Sequence, residues 1–448
     1  MEGSIIEYIR DYGGQSFSER PFCDVDALVL SQFCYLKFDG LVPGPDEDRD
    51  IALQDLPESP EYESLFSDIR YEKSNRPLLQ ELLQSRRFGA MRLRGYVNLV
   101  ETTPQVQFSA ITFFPDGADM FVAFRGTDEN MVGWKEDFNM TFMDEVPGQH
   151  LSVEYLEKAA TWSKESFLVG GHSKGGNLSV YSAMNCSPET RQRIRNIYSM
   201  DGPGFRDEVL EGSAYLEIRD RIVKILPESS MVGMLMESDS NYSVIKSNSF
   251  GLTQHNPYTW MVEGTDFVRR EKVDSRVLAL DDAVNDWILA QDNESRESFV
   301  DAVYGIFSSC DADTLIDFNA SKYRNMSQVL SSLRGLDEQT VTLLRRIIKN
   351  LVELSGAYMK TELSDEAATA REDLKRGVER RKEEVIRGAE RRKEEVIREA
   401  ERIREERTEK SERKKEERAE KAKRKTKRKA KNDAEQSGTE ESAGPDKQ

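Results

Sequence analysis

The sequence predicts an α/β protein with a mostly parallel central sheet, added helical regions and a long charged C-terminal helix. Three observations carry this expectation. From about residue 90 to residue 250, short apolar β-type runs alternate with helical segments, the order that yields parallel strands joined by crossover helices. One strand-to-helix junction, Gly171-His172-Ser173-Lys174-Gly175-Gly176, is rich in glycine. The C-terminal fifth consists mostly of charged residues and Ala.

Taken in order, residues 1–88 read as an N-terminal extension of helices and loops packed on the core. Within it Asp24–Phe38 carries apolar residues at helical spacing, and 41–60, with four prolines and many acids, reads as an exposed loop. The core spans 89–265. Arg92–Val100 and Val106–Phe114 alternate like neighbouring strands joined by the turn-like Glu101–Gln105. Asp119–Phe124 is a short strand, His150–Lys164 a helix, and Ser166–Gly170 a buried-type strand followed by a helix through Met184. Arg195–Met200, Arg221–Leu226 and Tyr242–Ser247 complete the sheet. Residues 266–358 return to helical periodicity, with candidates at Val277–Leu289, Arg296–Phe307 and Ser327–Leu354.

Residues 359–432 read as a charged helix or coiled-coil-like tail. ERRKEEVIR occurs at 379–387 and again at 390–398, a period of eleven residues. Residues 433–448 are polar and read as a disordered end. The net charge of −18 is divided unevenly: residues 360–433 carry 28 Lys and Arg against 21 Asp and Glu, so the tail is basic and the body strongly acidic. An acidic body argues against specific nucleic-acid binding through its own surface. Any contact with an anionic membrane surface or other polyanion falls to the tail, most sharply from Lys421 to Lys431. The four cysteines (Cys23, Cys34, Cys186, Cys310) lack metal-ligand spacing, and no metal or cofactor is expected. The N-terminus lacks the basic and apolar regions of a signal peptide, and no apolar run reaches membrane-spanning length, so the expected location is cytoplasmic.

The chemistry concentrates at Ser173. It occupies the centre of G-x-S-x-G, with the strand FLVG before it and the helix NLSVYSAM after it, the context a nucleophile elbow requires. The glycines two residues to either side let strand and helix approach closely. A serine nucleophile needs a base, and the chain has three histidines, His150, His172 and His255. His172 adjoins the serine and reads as a packing residue. His150 precedes the nucleophile at a helix start. His255 follows the last sheet strand and fits the chain order Ser, acid, His. Two carboxylates lie at strand ends between Ser173 and His255: Asp201, the preferred acid, and Glu228, the alternative. The backbone N–H of Lys174 is one expected oxyanion donor, and Thr127, at the end of VAFRGT, is the other. Met231, Met234, Leu235 and Met236 form a flexible apolar stretch suited to an acyl pocket or lid.

Phe124-Arg125-Gly126-Thr127, the following Trp134 and Asp137, and G-H-S-K-G-G together resemble the class 3 (fungal-type) lipases. More closely, GHSKGGN, DGPGF and the late Gln254-His255 with Trp260 resemble a bacterial lipase-like family of unknown function, whose amino-terminal region is similar to residues 21–40 here. The resemblance covers roughly residues 1–265. It implies an α/β-hydrolase fold with Ser173 as nucleophile, His255 as base and Thr127 as oxyanion residue. The chain departs from class 3 lipases where their acid follows the strand corresponding to Arg221–Leu226: here Ser229 and Ser230 stand. The expected function is a carboxylic-ester hydrolase acting on acyl esters or lipids through an acyl-enzyme. The competing reading is an inert hydrolase-fold scaffold whose tail carries the function. Substrate identity and oligomeric state are not encoded in any motif.

Overall fold

The computed structural model describes residues 2–278, apart from 68, 103–104, 128–135, 137–139, 141–144, 238, 240, 250 and 276, together with 295, 299, 341–342 and 413–429. The chain divides into two compact units, Met1–Lys360 and Thr361–Gln448. In the first, β1 (Glu2–Gly3), α1 (Ile5–Tyr12), α2 (Asp24–Phe33), β2 (Ile51–Ala52) and α3 (Glu72–Gln84) precede β3 (Arg92–Thr102), β4 (Gln105–Phe114) and β5 (Met120–Phe124). Then come α4 (Pro147–Ala160), β6 (Phe167–His172), α5 (Lys174–Asn185), β7 (Ile194–Met200), β8 (Ile222–Pro227) and β9 (Ser243–Ile245). The last are β10 (Val262–Glu263), β11 (Asp266–Phe267) and β12 (Arg269–Arg270).

Among the described residues nine strands form one sheet, in the order β12-β9-β8-β7-β6-β5-β4-β3-β2. Strands β5 to β9 run parallel, and the edges are antiparallel. The architecture is therefore α/β with a mostly parallel centre, as the alternation of strands and helices predicts. The central strands read as continuous apolar runs because helices cover both faces. Side-chain alternation divides them cleanly. Ile111, Phe113, Phe121, Ala123 and Leu168 join the core built by residues 5–88. Phe108, Ala110, Val122, Phe124 and Val169 join the core under α4 and α5.

Residues 1–88 are thus one of the two helical layers. Buried polar groups anchor that layer internally: Arg87 grips Asp26 with both side chains fully buried, Nε to Oδ1 at 2.8 Å and Nη2 to Oδ2 at 2.5 Å. The Tyr8 hydroxyl donates to the same carboxylate at 2.7 Å.

Several boundaries differ from expectation. The helix read over 24–38 ends at Phe33, and Leu36 and Phe38 are buried in the turns that follow. The expected exposed loop at 41–60 buries Leu41, Val42, Leu53 and Leu56, and Ile51–Ala52 pairs with β3. Helix α4 starts three residues early, because Pro147 suits the first helical turn, where an N–H is not needed. A second sheet, β1-β10-β11, is built from two-residue strands too short to carry a pattern. It staples the N-terminus beside the segment that follows His255. Apart from a few positions, the helices expected at 277–289, 296–307 and 327–354 and the repeat at 379–398 lie outside the described residues.

In the second unit residues 413–429 form a helix with every side chain exposed. Arg424 and Glu420 form an ion pair on it at 3.2 Å. No apolar face exists on it. Among the described residues no helix is long and apolar enough to cross a membrane.

Candidate active site

Strand β6 delivers Ser173 at the carboxyl edge of the parallel strands, and α5 begins at the next residue. Ser173 adopts φ 60° and ψ −134°, a conformation that side-chain-bearing residues rarely take. The neighbouring glycines are dictated by space. A Cβ at Gly171 would collide with the backbone of Phe124 and Gly175, and one at Gly175 with the Phe124 carbonyl. A Cβ at Gly126 would lie 2.6 Å from the His172 carbonyl oxygen and 2.9 Å from the Ser173 Cβ. The loop after β5 therefore passes directly against the serine.

Asp201 follows β7 with φ 51°, fully buried. Its Oδ2 lies 2.6 Å from Nδ1 of His255. Its Oδ1 accepts from the Ser230 hydroxyl and from the Gly233 N–H at 3.2 Å. His255 ends a short 3₁₀ turn, Gly251–His255, whose carbonyl at Gln254 accepts the Trp260 indole N–H at 2.7 Å. Glu228 turns elsewhere: it is partly exposed and pairs with Arg270 Nε at 3.0 Å. His150 is exposed, 3.7 Å from Glu145 and 3.5 Å from Glu154. Of the two carboxylates and three histidines weighed from the sequence, the structure pairs Asp201 with His255.

His172 does more than pack. Its ring stacks 4.4 Å from that of His255, tilted by 34°. Its Nε2 lies 2.8 Å from the His255 carbonyl oxygen. A carbonyl only accepts, so Nε2 carries the hydrogen and Nδ1 is left to accept from the Tyr35 hydroxyl at 3.1 Å. Burial, first, and the neighbouring His255, second, hold the His172 pKa well below the ordinary histidine value, so the ring is neutral. Tyr35 comes from the N-terminal layer, so that layer supports the site directly.

His172, Asp201 and His255 bring donor atoms within 4.8 Å of one another, the spacing of a metal site. Those atoms are already committed: Nε2 of His172 donates to the His255 carbonyl, its Nδ1 faces Tyr35, and Asp201 faces His255.

Thr127 is buried at the end of the segment after β5. Lys174 starts α5, and its side chain enters a buried network that its position in the sequence does not announce. Lys174 Nζ reaches Glu136 Oε2 at 3.0 Å and the Gln107 carbonyl at 2.8 Å. Glu136 also accepts from Gln107 N at 2.9 Å and Gly148 N at 2.7 Å. Trp134 and Asp137 lie outside the described residues. In the Met-rich stretch, Met234 is buried with Leu226, Val244, Val273 and Val277. The Leu235 carbonyl accepts from Gly204 N at 2.9 Å, and Met231, Leu235 and Met236 are half-buried.

A family model described as Mbeg1-like matches residues 82–305, half of the chain, and takes in Thr127, Ser173, Asp201 and His255. No curated protein matches the chain significantly. Among solved structures, the chain is similar to one titled as the crystal structure of M37 lipase. That match has 15% identity over 46% of this chain and 68% of the other, with a TM-score of 0.26.

Proposed function

The chain belongs to the Mbeg1-like family, a lipase-like family, and from that premise we propose that it is a serine hydrolase of carboxylic esters, working through an acyl-enzyme on Ser173. The observation that carries the reading is the 2.6 Å contact of His255 Nδ1 with the buried Asp201, together with a serine held at φ 60° on a strand-to-helix turn, whose N–H donates to the Met200 carbonyl at 2.9 Å just before Asp201. Asp201 occupies Nδ1, which leaves Nε2 of His255 as the proton acceptor.

In this reading Ser173 Oγ attacks the ester carbonyl carbon while its proton passes to His255 Nε2. Asp201 stays ionised, orients the ring and stabilises the imidazolium. The developing oxyanion is met by the N–H of Lys174 at the start of α5, aided by the dipole of that helix, and by Thr127. The alcohol departs with the proton from His255. Water then attacks the acyl carbon, giving its proton to His255, and release of the acid restores the Ser173 hydroxyl. The buried Met234 and half-buried Met231, Leu235 and Met236 give the Asp201 side of the site an apolar flank, which suits an acyl chain.

The test is labelling by a fluorophosphonate together with turnover of p-nitrophenyl esters of graded acyl length. Ser173→Ala is expected to abolish labelling and to lower turnover by several orders of magnitude, since triad members act as a unit. An unlabelled parent protein would favour the inert-scaffold reading, and full labelling of Ser173→Ala would remove the nucleophile assignment. The fully exposed, mainly basic helix at 413–429 supports a second contact, with an anionic membrane surface. Binding of the full chain to vesicles containing phosphatidylserine should then exceed binding to neutral vesicles and weaken as salt rises. Equal binding to both would remove the tail from this role.

A further inference from the structure

We infer that the turn Ser229–Gly233 fixes the acid and the base of the site relative to each other, with Ser230 as its positioning residue. The inference rests on the triad reading above and concerns a segment that reading does not use. The turn begins just beyond β8, where class 3 lipases carry their acid and this chain carries two serines. It folds tightly, with Ser230 N donating to the Pro227 carbonyl at 2.9 Å. Ser230 is buried, and its hydroxyl contacts Oδ1 of Asp201. The Gly233 N–H reaches that same oxygen at 3.2 Å and the Ser230 Oγ at 3.0 Å. A carboxylate oxygen only accepts, so the Ser230 hydroxyl donates to Oδ1 while its Oγ accepts from Gly233.

Space reinforces the arrangement. A Cβ on Gly233 would overlap Asp201 Oδ1 and Leu226 Cδ2 and lie 2.9 Å from Ser230 Oγ, so no side chain fits there. With two donors on Oδ1, the plane of the carboxylate is set and Oδ2 is aimed at His255. Asp201 needs such outside restraint because its own backbone sits at φ 51°.

The turn also reaches the base. Ser229 N donates to Oε1 of Gln254 at 2.7 Å, and Gln254 is buried next to His255 in sequence. Gln254 in turn gives its side-chain N–H to the Ser249 carbonyl at 2.8 Å and takes the Trp260 N–H on its own carbonyl. Adjacent residues of one turn therefore hold the two partners of the 2.6 Å contact, Ser230 through the carboxylate and Ser229 through the histidine's loop.

The experiment compares Ser230→Ala, Ser230→Thr and the near-isosteric, weaker donor Ser230→Cys in the full chain. Three quantities are read: ester kcat and KM, the pH midpoint of fluorophosphonate labelling, and the low-field proton resonance of the His255–Asp201 hydrogen bond. Ser230→Ala should lower kcat about ten- to a hundred-fold with KM nearly unchanged, the effect of misplacing a catalytic group while leaving substrate binding intact. The labelling midpoint should rise, because a carboxylate relieved of a donor attracts the imidazolium proton more strongly. The resonance should shift, and Thr should restore all three. Ser230→Cys covers the case in which the alanine protein does not fold, and should move midpoint and resonance in the same directions. An unchanged midpoint and resonance in a folded, active Ser230→Ala or Ser230→Cys protein overturns the inference. A parent protein with no esterase activity, whose resonance still responds to Ser230→Ala, leaves the positioning role standing and removes the hydrolase reading.

Discussion

Replacing Lys174 by Met would strip one charge from a pair that ties three elements together under the elbow. The ammonium lies 3.0 Å from Glu136 Oε2, and both side chains are fully buried. The Met side chain fills much of the lysine stem's volume, so the perturbation is chiefly electrostatic. What remains is a buried carboxylate with two neutral donors, Gln107 N at 2.9 Å and Gly148 N at 2.7 Å. Breaking a buried pair from one side costs about 3–5 kcal/mol, against roughly 0–1 kcal/mol for an exposed pair. Glu136→Gln should fall in the same range, since the ammonium loses its carboxylate and is left among neutral acceptors such as the Gln107 oxygens, at 2.8 and 3.3 Å. Removing both charges should be cheaper than the sum of the single changes by about 2 kcal/mol, within the usual range for contacting residues. Urea unfolding of the full chain, followed by circular dichroism in all four members of the cycle, measures this. Either single variant within about 1 kcal/mol of the parent, or simple additivity, would refute the claim that this pair is a coupled buried unit.

His172 provides a pH test. Its folded pKa lies below its unfolded value of about 6.5, so the unfolded chain binds more protons and this contribution to stability is lost as pH falls below 6.5. The slope is up to about 1.4 kcal/mol per pH unit. His172→Gln should flatten unfolding free energy between pH 6.5 and 5.5 by about 1 kcal/mol, because the unfolded histidine is only half protonated at pH 6.5, and an unchanged slope would show that His172 does not titrate on unfolding. Glu228→Gln breaks only the partly exposed pair with Arg270, so stability should change by less than about 1 kcal/mol. Its turnover should stay within about tenfold of the parent, whereas Asp201→Asn should lose roughly 10³ to 10⁴; reversed losses would move the acid to the end of β8. Finally, Asp201→Gly relieves the positive φ and vacates the carboxylate's space beside Ser230. Adding Ser230→Asp should recover at least about tenfold of the lost turnover, because the new carboxylate rises next to the same histidine. No recovery in a folded double variant would mean that only β7 can present the acid.

What the sequence makes legible here is what the backbone demands locally. Gly171 and Gly175 are written into the chain because the Phe124 carbonyl leaves no room for a Cβ, and FLVG reads as a strand because helices cover both its faces. The choice between Asp201 and Glu228 has no local signature, since each ends a parallel strand. What tells the two apart is their partners, which lie 54 and 42 residues away, His255 for Asp201 and Arg270 for Glu228. The Arg270 contact comes from β12, two residues long, which no periodicity can reveal. Lys174 illustrates the same divide within one residue. The backbone role proposed for it follows from standing after the serine, while its side chain is held by Glu136, 38 positions earlier.

The N-terminal layer extends the argument. Residues 1–88 read as an accessory because their helices precede the alternating region, yet Tyr35 from that layer faces Nδ1 of His172, whose Nε2 holds the His255 carbonyl. The chain from Tyr35 through His172 to His255 crosses 137 residues in its first step and 83 in its second. The His255 carbonyl thus sets the tautomer of His172, and the buried Tyr35 hydroxyl meets the nitrogen left without a hydrogen. That dependence belongs to the packed interior and has no counterpart in any short stretch of sequence.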